Sequence, residues 1–241
     1  MLKILKKMIK KHTAACAAVI VAAGASSRMQ GTDKILYPLN GAPLIVHTIR
    51  AFQSHAKIDQ IVIVTREGLI DTIKSVCFEH SFKKVTHIVP GGTTRTESVM
   101  KGLSHVRKDI GYVAVHDGAR PFVTEKIITD TIEKAVEYHA AAPAIPVKDT
   151  IKMVSGHIVT HTPLRSSLFA VQTPQIFDVD LLRGALAKAV KDGTAVTDDC
   201  SAVEALGMSV YLTEGSDENI KITTPTDLIV AQAIGKERSE G

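Results

Sequence analysis

Tryptophan is absent from the 241 residues, aromatic side chains make up 4%, and cysteine occurs three times. Cys16, Cys77 and Cys200 are odd in number, far apart and in no C-x-x-C pair, so they form neither a secreted disulfide framework nor a zinc site. A reducing compartment, the cytoplasm, fits this usage. No window reaches the roughly 18 apolar residues of a membrane span, so no membrane partner is expected. The shortage of aromatics also weighs against nucleic acid, whose single strands are held by rings that stack on bases. The formal charge of +4 points the same way once it is located: Lys3, Lys6, Lys7, Lys10 and Lys11 crowd the first dozen residues with no acid among them. Without these five, 24 basic residues face 25 acidic ones, and the body is near neutral. At 45% hydrophobic and 22% charged the composition is that of an ordinary globular chain, long enough to build a core without staples.

The lysine-rich start and the apolar run from Ala14 to Ala23 imitate a secretory leader. The order that follows favours a buried first strand instead. Short β-branched runs at Ala18 to Val21, Gln60 to Thr65, Val85 to Val89, Tyr112 to Val115 and Pro143 to Val147 alternate with helical spacings at Pro43 to His55, Glu67 to Glu79, Thr94 to Val106 and Glu125 to Tyr138. This alternation predicts an α/β fold, Rossmann-like, with a mostly parallel sheet, helices on both faces and ligands at the carboxyl ends of the strands. After Val147, Thr150 to Val154 and His157 to His161 read as a hairpin turning at Ser155-Gly156, too short to hold a core and therefore a projecting arm at about 148–171. Helices at Val179 to Lys191, Asp198 to Leu206 and Pro225 to Ile234 and a strand at Ser209 to Thr213 complete the chain. Residues 1–15 read as a basic extension and 16–241 as a single domain.

Three segments carry chemistry. Val19-Ile20-Val21-Ala22-Ala23-Gly24 empties a strand into small residues that let backbone N–H groups approach an anion, followed by Arg28 and Lys34. It is neither a Walker loop nor the G-x-G-x-x-G dinucleotide fingerprint, which disfavours a hydride-transferring dehydrogenase. Val113-Ala114-Val115-His116-Asp117 delivers a carboxylate to the ligand edge, where Mg²⁺ on nucleotide phosphates needs one or two of them. A lone His beside an Asp reads as structural, and Arg120 as the partner of a carboxylate. Gly91-Gly92-Thr93-Thr94-Arg95-Thr96-Glu97-Ser98 opens a helix at the same edge, where such a loop can read a base.

Together with His116-Asp117-Gly118-Ala119-Arg120-Pro121-Phe122, Pro146-Val147-Lys148-Asp149-Thr150, Thr173-Pro174-Gln175, Thr197-Asp198 and Asn219-Ile220-Lys221, these segments resemble the 2-C-methyl-D-erythritol 4-phosphate cytidylyltransferase family over nearly the whole chain. The resemblance implies a nucleotidyltransferase that joins CTP to methylerythritol 4-phosphate, releases diphosphate and works as a homodimer in which each arm reaches the neighbouring site. By matching position it implies Arg28 and Lys34 on the triphosphate, Asp117 on Mg²⁺, Gly92, Thr93 and Ser98 at cytosine, and the Ala22, Ala23 and Gly24 backbone at the phosphates. It further implies Arg165, Lys221, Thr150, Thr173, Thr197 and Asp217 around methylerythritol phosphate, with Thr150 and Arg165 donated by the partner. The sequence departs from the family pattern at Thr93, where many members have an acid, at Ser26, where many have glycine, and in a short loop ending in Asp33 rather than proline.

A phosphate monoester, with a second pKa of roughly 6, arrives at neutral pH already ionised, so this chemistry needs no general base. It needs screening of one anion approaching another. The rivals are a ribitol 5-phosphate cytidylyltransferase, which would share most of these segments, and a nucleotide-binding module without turnover, which would be expected to lose a catalytic cation.

Overall fold

A strand buried on both faces needs a helical layer on each, and the chain supplies the two in turn. The computed structural model describes residues 15–24 and 33–240. In chain order these form β1 (Cys16–Ala22), a short hairpin of β2 (Pro38–Leu39) and β3 (Ala42–Pro43), α1 (Leu44–Ser54), β4 (Ile58–Thr65), α2 (Ile70–Glu79), β5 (Val85–Pro90), α3 (Arg95–Leu103), β6 (Tyr112–Asp117), α4 (Glu125–Tyr138) and β7 (Ala140–Pro146). There follow β8 (Met153–Ser155), β9 (Ile158–His161), β10 (Phe169–Val171), β11 (Gln175–Asp178), α5 (Val179–Asp192), α6 (Asp199–Glu204), β12 (Tyr211–Glu214) and α7 (Pro225–Glu240). The lysines of the basic extension, together with Ser26 and Arg28, lie outside the described residues.

Side chains divide by strand period. Cys16, Ala18, Ile20 and Ala22 of β1, with Ile61 and Ile63 of β4, pack with α1, α2 and α4 through Ile49, Phe52, Ile73, Ile128 and Ile132. Ala17 and Val19, with Val62, Val64, Val113 and Val115, pack on the opposite face with Val99 and Leu103 of α3 and with α5 and α6. A smaller cluster, Leu39, Leu44, Phe122, Ile222, Leu228 and Ala231, seats α7 beside the β2–β3 hairpin. Several helices start where their caps dictate. Thr94 accepts from the Glu97 N–H before α3, and Thr124 from Ile127 before α4. Before α7, the Thr224 hydroxyl accepts from the Asp227 N–H while the Asp227 carboxylate takes the N–H of Thr224. Helix α3 stops at Leu103 rather than Val106, because the Ser104 hydroxyl bonds the Lys101 carbonyl at 2.7 Å.

The main sheet runs β10-β7-β11-β6-β1-β4-β5, with β12 also paired to β7. β1 lies parallel between β4 and β6, and β5 parallel to β4, as the alternation predicts. Two additions are antiparallel: β11 wedges between β6 and β7, and β10 runs along the same edge of β7 as β11, the Gln172 N–H donating to the Pro143 carbonyl between them, while β12 lies parallel on the other edge of β7. Period alone misses β11, a four-residue strand that follows the cis Thr173-Pro174 peptide bond. The arm forms a separate two-stranded sheet of exposed residues. Its turn falls one residue later than expected: Ser155 pairs with Ile158, and Gly156 takes a φ of +58° at the first turn position.

Candidate active site

Parallel strands in register put their carboxyl ends on one rim. Val21 of β1 pairs with Asp117 of β6, Ala22 with Thr65 of β4, and Thr65 with Pro90 of β5. The loops that leave this rim enclose a cleft of about 320 Å³. One wall is Val21, Ala22, Ala23 and Gly24, the opposite wall is Gly92, Thr93, Thr94, Arg95 and Ser98, and Lys34, Asp117 and Lys221 close the end between them. The two walls come close because Gly91 has no side chain. A Cβ there would stand 2.4 Å from the Ala23 Cβ. The second wall is internally braced: the Ser98 hydroxyl accepts from the Gly92 N–H at 3.0 Å and donates to the Thr94 carbonyl at 2.9 Å. At the departing position, Thr93 gives both its N–H and its hydroxyl proton to the Glu97 carboxylate, each at 2.7 Å. Asp33, where proline is usual, caps the turn by accepting from the Ile35 N–H and pairs with Arg66.

Asp117 is the electrostatic centre. It is 8% exposed, with Lys221 Nζ 3.0 Å from one carboxylate oxygen, Arg120 Nε 3.5 Å from the same oxygen and Arg95 Nε 3.9 Å from the other. Burial pushes its pKa up, but Lys221, Arg95 and Arg120 outweigh burial and hold it at about 2. Arg120 is itself tied down, donating to the Asn219 carbonyl at 2.6 Å, while the Asn219 amide donates to the Thr173 carbonyl at 3.0 Å. Behind the carboxylate, the Asp117 N–H donates to the Thr173 hydroxyl, which meets His116 Nδ1 at 3.1 Å.

Of the residues singled out in the sequence, the cleft therefore gathers Ala22, Ala23, Gly24, Lys34, Gly92, Thr93, Ser98, Asp117 and Lys221. Thr173 sits one layer behind, and Arg28 is outside the described residues. The others stand apart from the cleft. Arg165 donates to the Lys148 carbonyl at the arm, Asp217 pairs with Lys148 at 2.6 Å, Thr197 bonds Ser201, and Thr150 is exposed. Two residues given no role by sequence reasoning belong here. Arg95 lies inside the quoted G-G-x-x-R motif, and Asp199 follows Thr197-Asp198 directly, yet nothing local says that they meet.

Among the described residues no cluster of three or more His, Cys, Asp or Glu side chains forms a metal cage. One ionised carboxylate in a cleft fit for phosphates is instead the donor set of a magnesium ion that takes its other ligands from nucleotide and water, so the residues present fit that ion.

Small-residue loops, a lysine and a cation-ringed carboxylate at one end of a Rossmann-like sheet define a nucleotidyltransferase-type enzyme. Comparison with known proteins carries this further. The chain belongs to the 2-C-methyl-D-erythritol 4-phosphate cytidylyltransferase family, whose model matches residues 16–237. A protein of that name from Clostridium novyi is 46% identical over 220 residues, covering 90% of this chain and 95% of the relative. One from Bacillus velezensis is 46% identical over 223 residues, covering 92% and 96%. The crystal structure of 4-diphosphocytidyl-2C-methyl-D-erythritol synthase from Anaerococcus prevotii superposes with a TM-score of 0.83 at 31% identity, covering 92% of this chain and 96% of that one.

Proposed function

We propose that the chain transfers the cytidylyl group of CTP to 2-C-methyl-D-erythritol 4-phosphate, giving 4-diphosphocytidyl-2-C-methylerythritol and diphosphate. The observation that carries this reading is the convergence of Lys34, Lys221 and the two small-residue walls on one cleft in a member of this family. The substrate phosphate is mostly dianionic at neutral pH and attacks the α-phosphorus of CTP in line, so the protein supplies orientation and screening rather than a base. His116 accords with that. It is fully buried, and burial lowers its pKa to about 4, leaving a neutral ring whose bonds go to Thr173 and the Arg120 carbonyl.

Lys34, with Arg28, stabilises the charge that grows on the attacked phosphoryl group and the departing diphosphate. The Ala22 to Gly24 backbone faces the phosphates, and Gly92, Thr93 and Ser98 face the cytosine. Lys221 positions the methylerythritol phosphate with Arg165, Thr150, Thr197 and Asp217, while Thr173 acts from behind Asp117. Asp117 would hold Mg²⁺, which would supply positive charge to screen the nucleotide phosphates. The chain forms one domain with an arm, and two copies pair so that Thr150 and Arg165 of each arm complete the neighbouring site. A cytoplasmic setting suits three cysteines that are free and buried, and among the described residues no helix is long and apolar enough to cross a membrane.

The test is a substrate comparison. With CTP and Mg²⁺, diphosphate release should proceed with methylerythritol 4-phosphate and be at least about tenfold slower with ribitol 5-phosphate at equal concentration. A reversed preference would assign the chain to the ribitol reaction, and no release with either would leave a binding module.

A further inference from the structure

Three cations surround Asp117, but they are not equivalent. Arg120 is anchored by the Asn219 carbonyl. Arg95 is anchored by Asp199, its Nη2 lying 2.8 Å from that carboxylate. Lys221 is the most exposed of the three, and its ammonium pairs with Asp117. A substrate phosphate entering the cleft therefore competes for Lys221 first, and a carboxylate that loses its nearest cation must be held by the two arginines or shift.

Asp199 makes the anchor stiff. It is 1% exposed at the first position of α6 and finds no hydrogen-bond donor beyond its ion pair with Arg95 among the described residues. A buried carboxylate with one partner destabilises a fold unless that partner stays in place. Its backbone is also fixed: Gln175 of β11 accepts from the N–H groups of Asp199 and Cys200 through Oε1 and donates to Asp198 through Nε2 at 2.8 Å. Four elements thus meet around one guanidinium: α3 carries it, α6 holds it through Asp199, β11 braces the start of α6, and β6 presents the carboxylate that it faces.

We infer that Arg95, anchored by Asp199, is a positioning residue for cytidylyl transfer, holding the Asp117 carboxylate at the rim while Lys221 moves onto the substrate phosphate. The inference rests on the reading above. It assigns a role in the reaction to a buried ion pair that would otherwise be a packing feature.

The full-length protein carrying Asp199→Asn, Arg95→Gln or Arg95→Lys tests it. Steady-state turnover of CTP with methylerythritol 4-phosphate should fall about 10- to 100-fold in kcat for Asp199→Asn and Arg95→Gln, with KM for CTP within about threefold of wild type, and Arg95→Lys should recover part of the loss. The double variant Arg95→Gln/Asp199→Asn should be no slower than Arg95→Gln alone, because Asp199 acts through Arg95. Titration calorimetry of CTP with and without Mg²⁺ gives a readout independent of turnover. Asp199→Asn should lose about tenfold of the Mg²⁺-dependent gain in CTP affinity and keep its metal-free affinity. Wild-type kcat and an intact Mg²⁺-dependent gain in Asp199→Asn, accompanied by a lower Tm, would reduce the pair to a packing element and overturn the inference, as would losses that multiply in the double variant. Should Arg95→Gln fail to fold, Arg95→Lys and Asp199→Asn decide alone. Should the wild type not turn over these substrates, the functional reading fails, while the calorimetric comparison still decides this inference.

Discussion

His116 and Asp117 are neighbours on β6, yet burial leaves the first neutral while surrounding cations keep the second charged. The ring of His116 is enclosed beside Phe52, with centroids 4.9 Å apart, and its Nε2 lies 3.1 Å from the Arg120 carbonyl. A carbonyl can only accept, so Nε2 carries the proton and Nδ1 accepts from the Thr173 hydroxyl. Burial lowers its pKa from 6.5 to about 4, so the unfolded chain binds a proton that the folded one refuses between those values. Stability from this group is complete above pH 6.5 and is lost as pH falls toward 4, by about 3 kcal/mol in full. Urea unfolding at pH 7 and pH 4.5 should show the wild type losing about 2 to 3 kcal/mol more than His116→Gln. Equal losses would mean that the ring is not held neutral. Asp117 behaves in the opposite way, its cations keeping it ionised throughout this range.

Helix α3 is positioned by a residue that contributes no side chain. Gly102 lies against β1 and β4, where an added Cβ would stand 2.4 Å from Val19 Cγ1 and 2.9 Å from Val64 Cγ2. Gly102→Ala gains about 1 kcal/mol of helix propensity but overpacks the interface by about 1 to 3 kcal/mol, so it should destabilise by about 1 kcal/mol. Because the first turns of α3 carry Arg95 and Ser98, the same displacement should raise KM for CTP; urea unfolding together with steady-state kinetics checks both. Elements of this kind are only partly legible in the sequence. The apolar spacing of Glu125 to Tyr138 marks α4 to the residue, since its cap and its buried stripe are local. The strands β10 and β11 are not legible, because each is short and becomes a strand only by pairing with distant segments, β10 with β7 and β11 with β6 and β7. The β2–β3 hairpin did carry a signal, since Asn40 and Gly41 both take positive φ in its two-residue turn, but strands of two residues leave no period to read.

The arm and the edge of the sheet beside it expose more apolar surface than a lone protomer needs. Ile158 is 75% exposed and Leu164 74%, and Met153, Val154, Val159, Phe169 and Val171 are exposed with them. The pairing proposed above would cover this surface and would bring Thr150 and Arg165 to a cleft that lacks them in the single chain. Replacing residues 151–162 by a short Gly-Ser turn should give a monomer by light scattering and reduce turnover at least about 100-fold, while circular dichroism keeps the α/β signature. A shortened protein that remains a dimer with full activity would place the interface elsewhere.

The order of residues along the chain was enough to establish the alternating layers, the carboxyl-edge rim and most of the residues that line the cleft. Each of these rests on local period, on caps and on small residues after strands, which neighbours within a few positions specify. The surroundings of Asp117 had to await the fold. Lys221, Arg95, Arg120 and Thr173 reach it from four segments, and Asp199 reaches Arg95 from a fifth. Whether a buried charge is countered depends on distances of a few ångströms between groups far apart in the chain, and no local pattern encodes such a distance.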